Sequence, residues 1–240
     1  MTFQIQKIET DRDIRFVADL AKTVWTEYYV PLIGAAQTEY MISEFQSFEK
    51  IKESVFEKNY YYFAVFDLEE NPSSADLKTD ESDNESNEDS DNESDEDSDN
   101  ESADNESDDI SDNESDKDSD NPFFAYMALK PDERGVFLSK IYVKKEARNR
   151  GIAKMMMDFA LDFTKEEIRK KEKKNPETKG KKSKPNRFSL WLTVNKGNIN
   201  SIEFYKKRGF AVEKEMKTDI GNGFYMDDYL MAYYLDERSF

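Results

Sequence analysis

The chain is interrupted by a segment that cannot join a core. Of its 240 residues, those from 71 to 120 hold 23 aspartates and glutamates against 2 lysines, with almost no apolar side chains. Such a stretch buries too little apolar surface to offset the entropy of ordering itself, so it is expected to be disordered. The tetrapeptide Asp-Asn-Glu-Ser recurs within it at 83–86, 91–94, 99–102, 104–107 and 112–115. Short repeats can build solenoids, but this unit offers nothing for a solenoid's interior. It also lacks the glycine and the spaced ligands of a calcium-binding loop. Any fold must therefore be assembled from the flanking segments.

The acidity belongs to that tract. The formal charge of the chain is −18, yet the residues outside 71–120 carry 30 acids and 33 bases. The foldable part is nearly neutral, and its partners cannot be inferred from the overall charge. Histidine and cysteine are both absent. That excludes disulfides, thiolate metal sites, cysteine nucleophiles and histidine-based catalysis, so no metal site is expected. Any general acid or base must be a carboxylate, tyrosine, lysine or ordered water. The first residues show no signal-peptide pattern, and no apolar run approaches the roughly 20 residues needed to cross a bilayer. A soluble, cytoplasmic protein is expected.

The flanks alternate between strand and helix patterns. Residues 2–8 read as a strand. Residues 11–29 read as a helix with an apolar stripe through Ile14, Val17, Leu20, Ala21, Val24 and Trp25, capped by Thr10 or Asp11. Residues 35–57 carry one or two further helices, and 59–68 an aromatic strand. After the acidic tract, 122–129 read as that strand's hairpin partner, and 136–144 as the next strand. A helix follows from about 150. It runs into a basic stretch, 165–187, with 11 bases and 4 acids. The first part of that stretch can extend the helix, and 169–187 are expected as a flexible insertion. No aromatic residues interleave its lysines, which argues against a nucleic-acid surface. A strand at 188–194, a short helix at 199–208 and two strands at 210–217 and 223–235 complete the chain. This is a mixed α/β pattern: one domain, 1–240, with a mostly antiparallel sheet, helices on both faces and two insertions at 71–121 and 169–187.

One junction stands out. Arg148-Asn149-Arg150-Gly151-Ile152-Ala153 lies between a strand and a helix. A helix N-terminus presents free N–H groups and partial positive charge, and a glycine there admits a close approach, so the place suits an anion such as phosphate. Downstream, Asn198, Ser201, Phe204-Tyr205 and Gly209-Phe210 follow a strand. Met155-Met156-Met157 reads as core filler.

These two motifs, in this order, resemble those of the GNAT superfamily of acetyl-CoA-dependent N-acetyltransferases. The stretches 37–41 and 219–231 are similar to those of a microbial branch acting on polyamines and other small amines. The resemblance covers nearly the whole chain outside the insertions. It implies a GNAT-like acyl-CoA N-acyltransferase fold with acetyl-CoA as co-substrate. Backbone groups along Ile141, Tyr142 and Val143 would pair with the cofactor's pantetheine arm. Arg148, Asn149, Arg150, Gly151, Ile152, Ala153 and Lys154 would hold its pyrophosphate, and Asn198 would touch its arm. Tyr205 would protonate the departing thiolate. Glu27, Glu39, Asp227 and Asp228 are candidates for the amine-binding residue or the base. Asp227 and Asp228 are neighbours in a strand, so at most one faces the site. The expected acceptor is a small primary amine such as a polyamine. The alternatives are a protein N-terminus or lysine, and a CoA-binding interaction protein with little catalysis. A homodimer is compatible with this reading, and membrane attachment is not expected.

Overall fold

A computed structural model describes residues 2–69, 121–174 and 188–235. The acidic repeats and residues 175–187 lie outside the described residues, and so do the expectations made for them. In chain order the elements are β1 (Phe3–Lys7), α1 (Asp11–Ile33), α2 (Ala35–Phe45), α3 (Phe48–Phe56), β2 (Tyr61–Asp67), β3 (Phe123–Asp132), β4 (Gly135–Val143), α4 (Ile152–Lys174), β5 (Ser189–Asn195), α5 (Ile199–Lys207), β6 (Ala211–Gly221) and β7 (Phe224–Tyr234). They form a seven-stranded sheet in the order β1-β2-β3-β4-β5-β7-β6. Every pairing is antiparallel except β4 with β5.

Period-two alternation sorts the strand residues into two cores. Tyr62, Ala64 and Phe66 of β2 join Tyr126 and Ala128 of β3 beneath α1–α3, where Ile14, Val17, Leu20 and Val24 supply the helical stripe. Phe63 and Val65 point the other way, with Ala125 and Met127, onto Met156 and Ala160 of α4 and Ile202 of α5. Thr10 caps α1, its hydroxyl accepting from Asp13 N at 3.1 Å. Residues 169–174, expected within a flexible insertion, instead close α4. No proline or glycine lies between Ile152 and Lys174, and Ile168 is fully buried, so the helix has an anchor and no breaker.

Two irregularities in β4 position everything that follows. The register with β3 shifts between Ala128 and Leu129, which face Lys140 and Leu138, leaving Ser139 as an extra residue on β4. The bulge reverses the alternation. Val136 and Leu138 face the α4 side before it, and Ile141 and Val143 do so after it. Tyr142 consequently packs with the α1–α3 core. Secondly, β4 and β5 pair only through Gly135–Ser189, Val136–Leu190 and Phe137–Trp191. Beyond these pairs the two strands part, and a cleft opens between them.

Candidate active site

The cleft encloses about 800 Å³ and runs between the parted ends of β4 and β5, flanked by α1, α2 and the N-termini of α4 and α5. One end is the junction between β4 and α4. There Asn149 (φ 63°) and Gly151 (φ 82°) both adopt left-handed conformations that turn the chain into the helix. A Cβ built on Gly151 would meet nothing within 4 Å, so open space lies against the backbone where the first N–H groups of α4 emerge. Asn149, Gly151, Ile152, Ala153 and Lys154 all line the cleft, as do Ile141, Tyr142 and Val143 along β4. A phosphate-bearing ligand fits such a cradle.

The two arginines of the junction behave differently. Arg148 lines the cleft. Its Nε donates to Val143 O at 3.1 Å and its Nη1 to Glu27 at 3.0 Å. Glu27, a candidate for the acceptor site, thus serves the arginine and does not line the cleft. Arg150 does not line it either. Its guanidinium stacks over Phe3 at 4.8 Å and Phe124 at 5.7 Å, at the start of β1 and β3. The turn at Asn149 sends consecutive side chains to opposite sides of the junction, which spacing alone does not reveal. Glu39 is exposed on α2, away from the lining.

Farther along, α5 contributes two side chains. Asn198 caps the helix, its Oδ1 accepting from Ser201 N at 3.1 Å and from the Tyr28 hydroxyl at 2.6 Å. Tyr205, about two turns on, is 7% exposed between Phe204 and Phe210. Burial pushes its phenol pKa up, with Tyr29 and Tyr28 adding to the effect, so it is a proton donor throughout the accessible pH range. Arg208 donates to Asp158 at 2.7 Å and fixes α5 against α4.

The two adjacent aspartates of β7 are sorted by the pleat. Asp227 points outward and pairs with Lys196 at 2.6 Å. Asp228 points into the cleft, 4% exposed, and its Oδ1 has no hydrogen-bond partner. Burial raises its pKa to about 6, with the Asp227 charge adding and Lys196 opposing. Nearby, burial lifts the Tyr29 hydroxyl to about 12, the charges of Tyr28 and Asp228 adding to it. Tyr28, Tyr29 and Lys140 line the cleft and were missed as site residues. The sequence signals were a doubled tyrosine one turn after Trp25 on an amphipathic helix, and a single lysine in a strand whose other polar side chain is Ser139.

The hairpin joining β6 and β7 reaches across to α2. Tyr40 donates its hydroxyl hydrogen to Ile220 O at 2.5 Å, and Gln37 Nε2 donates to Tyr225 O at 2.9 Å. A Cβ on Gly221 would come within 2.6 Å of the Tyr40 hydroxyl, so the tip is closely seated. Among the described residues there is no cluster of metal-ligating side chains, and no helix is long and apolar enough to cross a membrane.

Comparison with known proteins agrees with this geometry. Residues 116–212 match the family model described as the acetyltransferase (GNAT) domain. The fold is that of solved N-acetyltransferases. It is similar to PaiA N-acetyltransferase of Thermoplasma acidophilum, solved with coenzyme A, at 18% identity and a TM-score of 0.57, over 98% of this chain and 100% of that one. It is similar to a GCN5-related N-acetyltransferase of Rhodopseudomonas palustris at 12% identity and a TM-score of 0.56, over 98% and 97%. A chimera built on spermidine N-acetyltransferase SpeG of Vibrio cholerae follows at 14% identity and a TM-score of 0.52, over 98% and 96%. The sequence matches no curated protein. The fold is the acyl-CoA N-acyltransferase fold, and residues 116–212 are similar to the GNAT acetyltransferase domain.

Proposed function

We propose that the protein transfers acetyl from acetyl-CoA to a small primary amine by direct attack. One observation carries this reading: the cleft that begins at the N-terminus of α4 ends at Asp228, a buried carboxylate without a hydrogen-bond partner. In this arrangement residues 149 and 151–154 hold the pyrophosphate, Ile141–Val143 the pantetheine arm, and Asn198 steadies that arm from α5. The acetyl group then lies near the Ser139 bulge.

The chemistry suits the side chains present. An alkylamine with a pKa near 10.4 is neutral in roughly one molecule in a few thousand at pH 7, a cost of about 4–5 kcal/mol. Asp228 attracts the ammonium form, then takes its proton directly or through water. The neutral nitrogen attacks the thioester carbonyl, a C–N bond forms and the C–S bond breaks. A strand N–H at the bulge stabilises the charge on oxygen. Tyr205 gives its proton to the leaving sulfur, and the second proton lost by the attacking nitrogen returns to the phenol through water. The buried surroundings that raise the phenol's pKa also raise that of the thiolate, so the mismatch between them stays modest.

The seating of the β6–β7 tip on α2, whose Gln37 and Met41 line the cleft, narrows the cleft's opening on that side and supports a small acceptor over a polypeptide. Polyamines are one such acceptor class, named for the SpeG chimera that shares the fold. Release of CoA with a panel of amines, amino acids and peptides, read with a thiol dye, tests the proposal. The protein has no cysteine and contributes no background. Turnover with small amines and not with peptides is expected. Turnover with peptides alone would overturn the choice of acceptor. Acetyl-CoA binding without turnover would overturn the reaction.

A further inference from the structure

Lys140 stands opposite Asp228 in character. The Ser139 bulge turns it onto the α1–α3 side of β4, where it lines the cleft. Its Nζ donates to Phe45 O at 2.9 Å and lies 5.8 Å from the centre of the Tyr62 ring. Among the described residues no carboxylate lies within ion-pairing distance of it, whereas two other cations of the cleft are matched, Lys58 by Glu53 at 2.8 Å and Arg148 by Glu27 at 3.0 Å. Desolvation lowers the Lys140 pKa to about 8, with no acid to hold it up.

The lining of one cleft therefore includes a carboxylate on β7 and an ammonium on β4 that are opposite in sign and engaged in no ion pair among the described residues. Desolvating either charge alone is unfavourable, and a ligand that answers both removes the cost twice over. We propose that the acceptor is an amine that also bears a carboxylate, with its amine at Asp228 and its carboxylate at Lys140. The inference rests on the acetyltransferase reading and narrows it. An ammonium has three donors, and Phe45 O takes one, leaving two for the oxygens of a carboxylate. A single lysine is a poor match for a dianionic phosphate, which favours several cations or a bidentate arginine. A polyamine would bring a second ammonium towards Lys140, where like charges repel.

The test compares acceptors of equal length that differ at one end: ω-amino acids of graded chain length, their methyl esters, and the corresponding diamines. CoA release gives kcat/KM for each with wild type, Lys140→Met and Lys140→Arg, with circular dichroism confirming that each variant folds. In wild type the amino acid of best length should exceed its ester and diamine by about tenfold or more, the effect of one charge-assisted hydrogen bond. That ratio should collapse in Lys140→Met and largely persist in Lys140→Arg. A preference for diamines, or an amino-acid preference that survives Lys140→Met, overturns the inference and leaves the acetyltransferase reading standing. No turnover with any acceptor overturns both.

Discussion

The Tyr28 hydroxyl donates to Asn198 Oδ1 at 2.6 Å, joining α1 to the cap of α5 across 170 positions of sequence. The same oxygen accepts from Ser201 N, so the cap that starts α5 also fixes the wall of the cleft beside Tyr205. Truncation at either partner should therefore act on the site as well as on the fold. Tyr28→Phe leaves the Ser201 contact in place and removes only the bridge. It is expected to cost about 1 kcal/mol in urea unfolding and to raise the KM for acetyl-CoA more than it lowers kcat.

Asp228 gives the reaction an acidic limb. Its pKa is raised to about 6, so the carboxylate forms as pH rises through that value, and acetylation should rise with it. Asp228→Asn should lower kcat/KM at pH 7.5 by about a hundredfold, the lower end of general-base effects, and abolish the limb. Stability moves the opposite way. A carboxyl whose folded pKa exceeds its unfolded one favours the fold below about pH 4, and this advantage is lost as pH climbs through 6. The asparagine variant should therefore melt at a higher temperature than wild type at pH 7.5. A lower melting temperature would show that the carboxylate is stabilised by something other than its neighbours in the cleft.

Tyr205→Phe removes the proton donor and little packing. An acid role predicts a fall in kcat of about a hundredfold with the affinity for acetyl-CoA unchanged. Because burial holds the phenol's pKa up, Tyr205 contributes no alkaline limb below pH 10. An unchanged kcat in the phenylalanine variant would return Tyr205 to the role of a core aromatic.

Arg148 and Arg150 should separate cleanly. Arg148→Ala removes a cation from the cleft lining and is expected to weaken acetyl-CoA binding about tenfold in calorimetry. Arg150 stacks on Phe3 and Phe124 outside the lining. Arg150→Ala should change that affinity by about fivefold at most, the size of a screened surface charge.

Gly135 holds the base of the cleft closed. A Cβ there would lie 2.2 Å from the carbonyl oxygen of Ser189, backbone against backbone, at φ +141°. Gly135→Ala should destabilise the protein by about 3 kcal/mol in denaturant unfolding, since neither strand can yield without breaking the short parallel pairing. A neutral result would mean that β4 and β5 are free to part farther down.

Much of this was legible in the residues, and the rest was hidden for physical reasons. The strand-to-helix junction at 148–153 and the run from Asn198 to Phe210 announced the cleft's two helical walls, because glycine positions and caps are local properties. Which of Asp227 and Asp228 enters the cleft depends on the register of β7 against β5, set by pairings such as Asn195–Asp228. The direction of Arg150 depends on the left-handed turn at Asn149. Glu27 belonged to a plausible acid set, and its partner proved to be an arginine 121 positions away. Lys140 was hidden most completely. Every residue from Val136 to Val143 except Ser139 and Lys140 is apolar, so nothing in the pattern marks where the alternation reverses.

That bulge governs how the strand can vary. Removing Ser139 would leave Leu138 opposite Leu129 and Lys140 opposite Ala128 in an unbroken ladder, with Tyr142 still on the α1–α3 side and Ile141 and Val143 still beneath α4. What the extra residue adds is backbone, a local break in the ladder at the wall of the cleft. A deletion at this one position would spare the packing of both cores and act on the cleft alone.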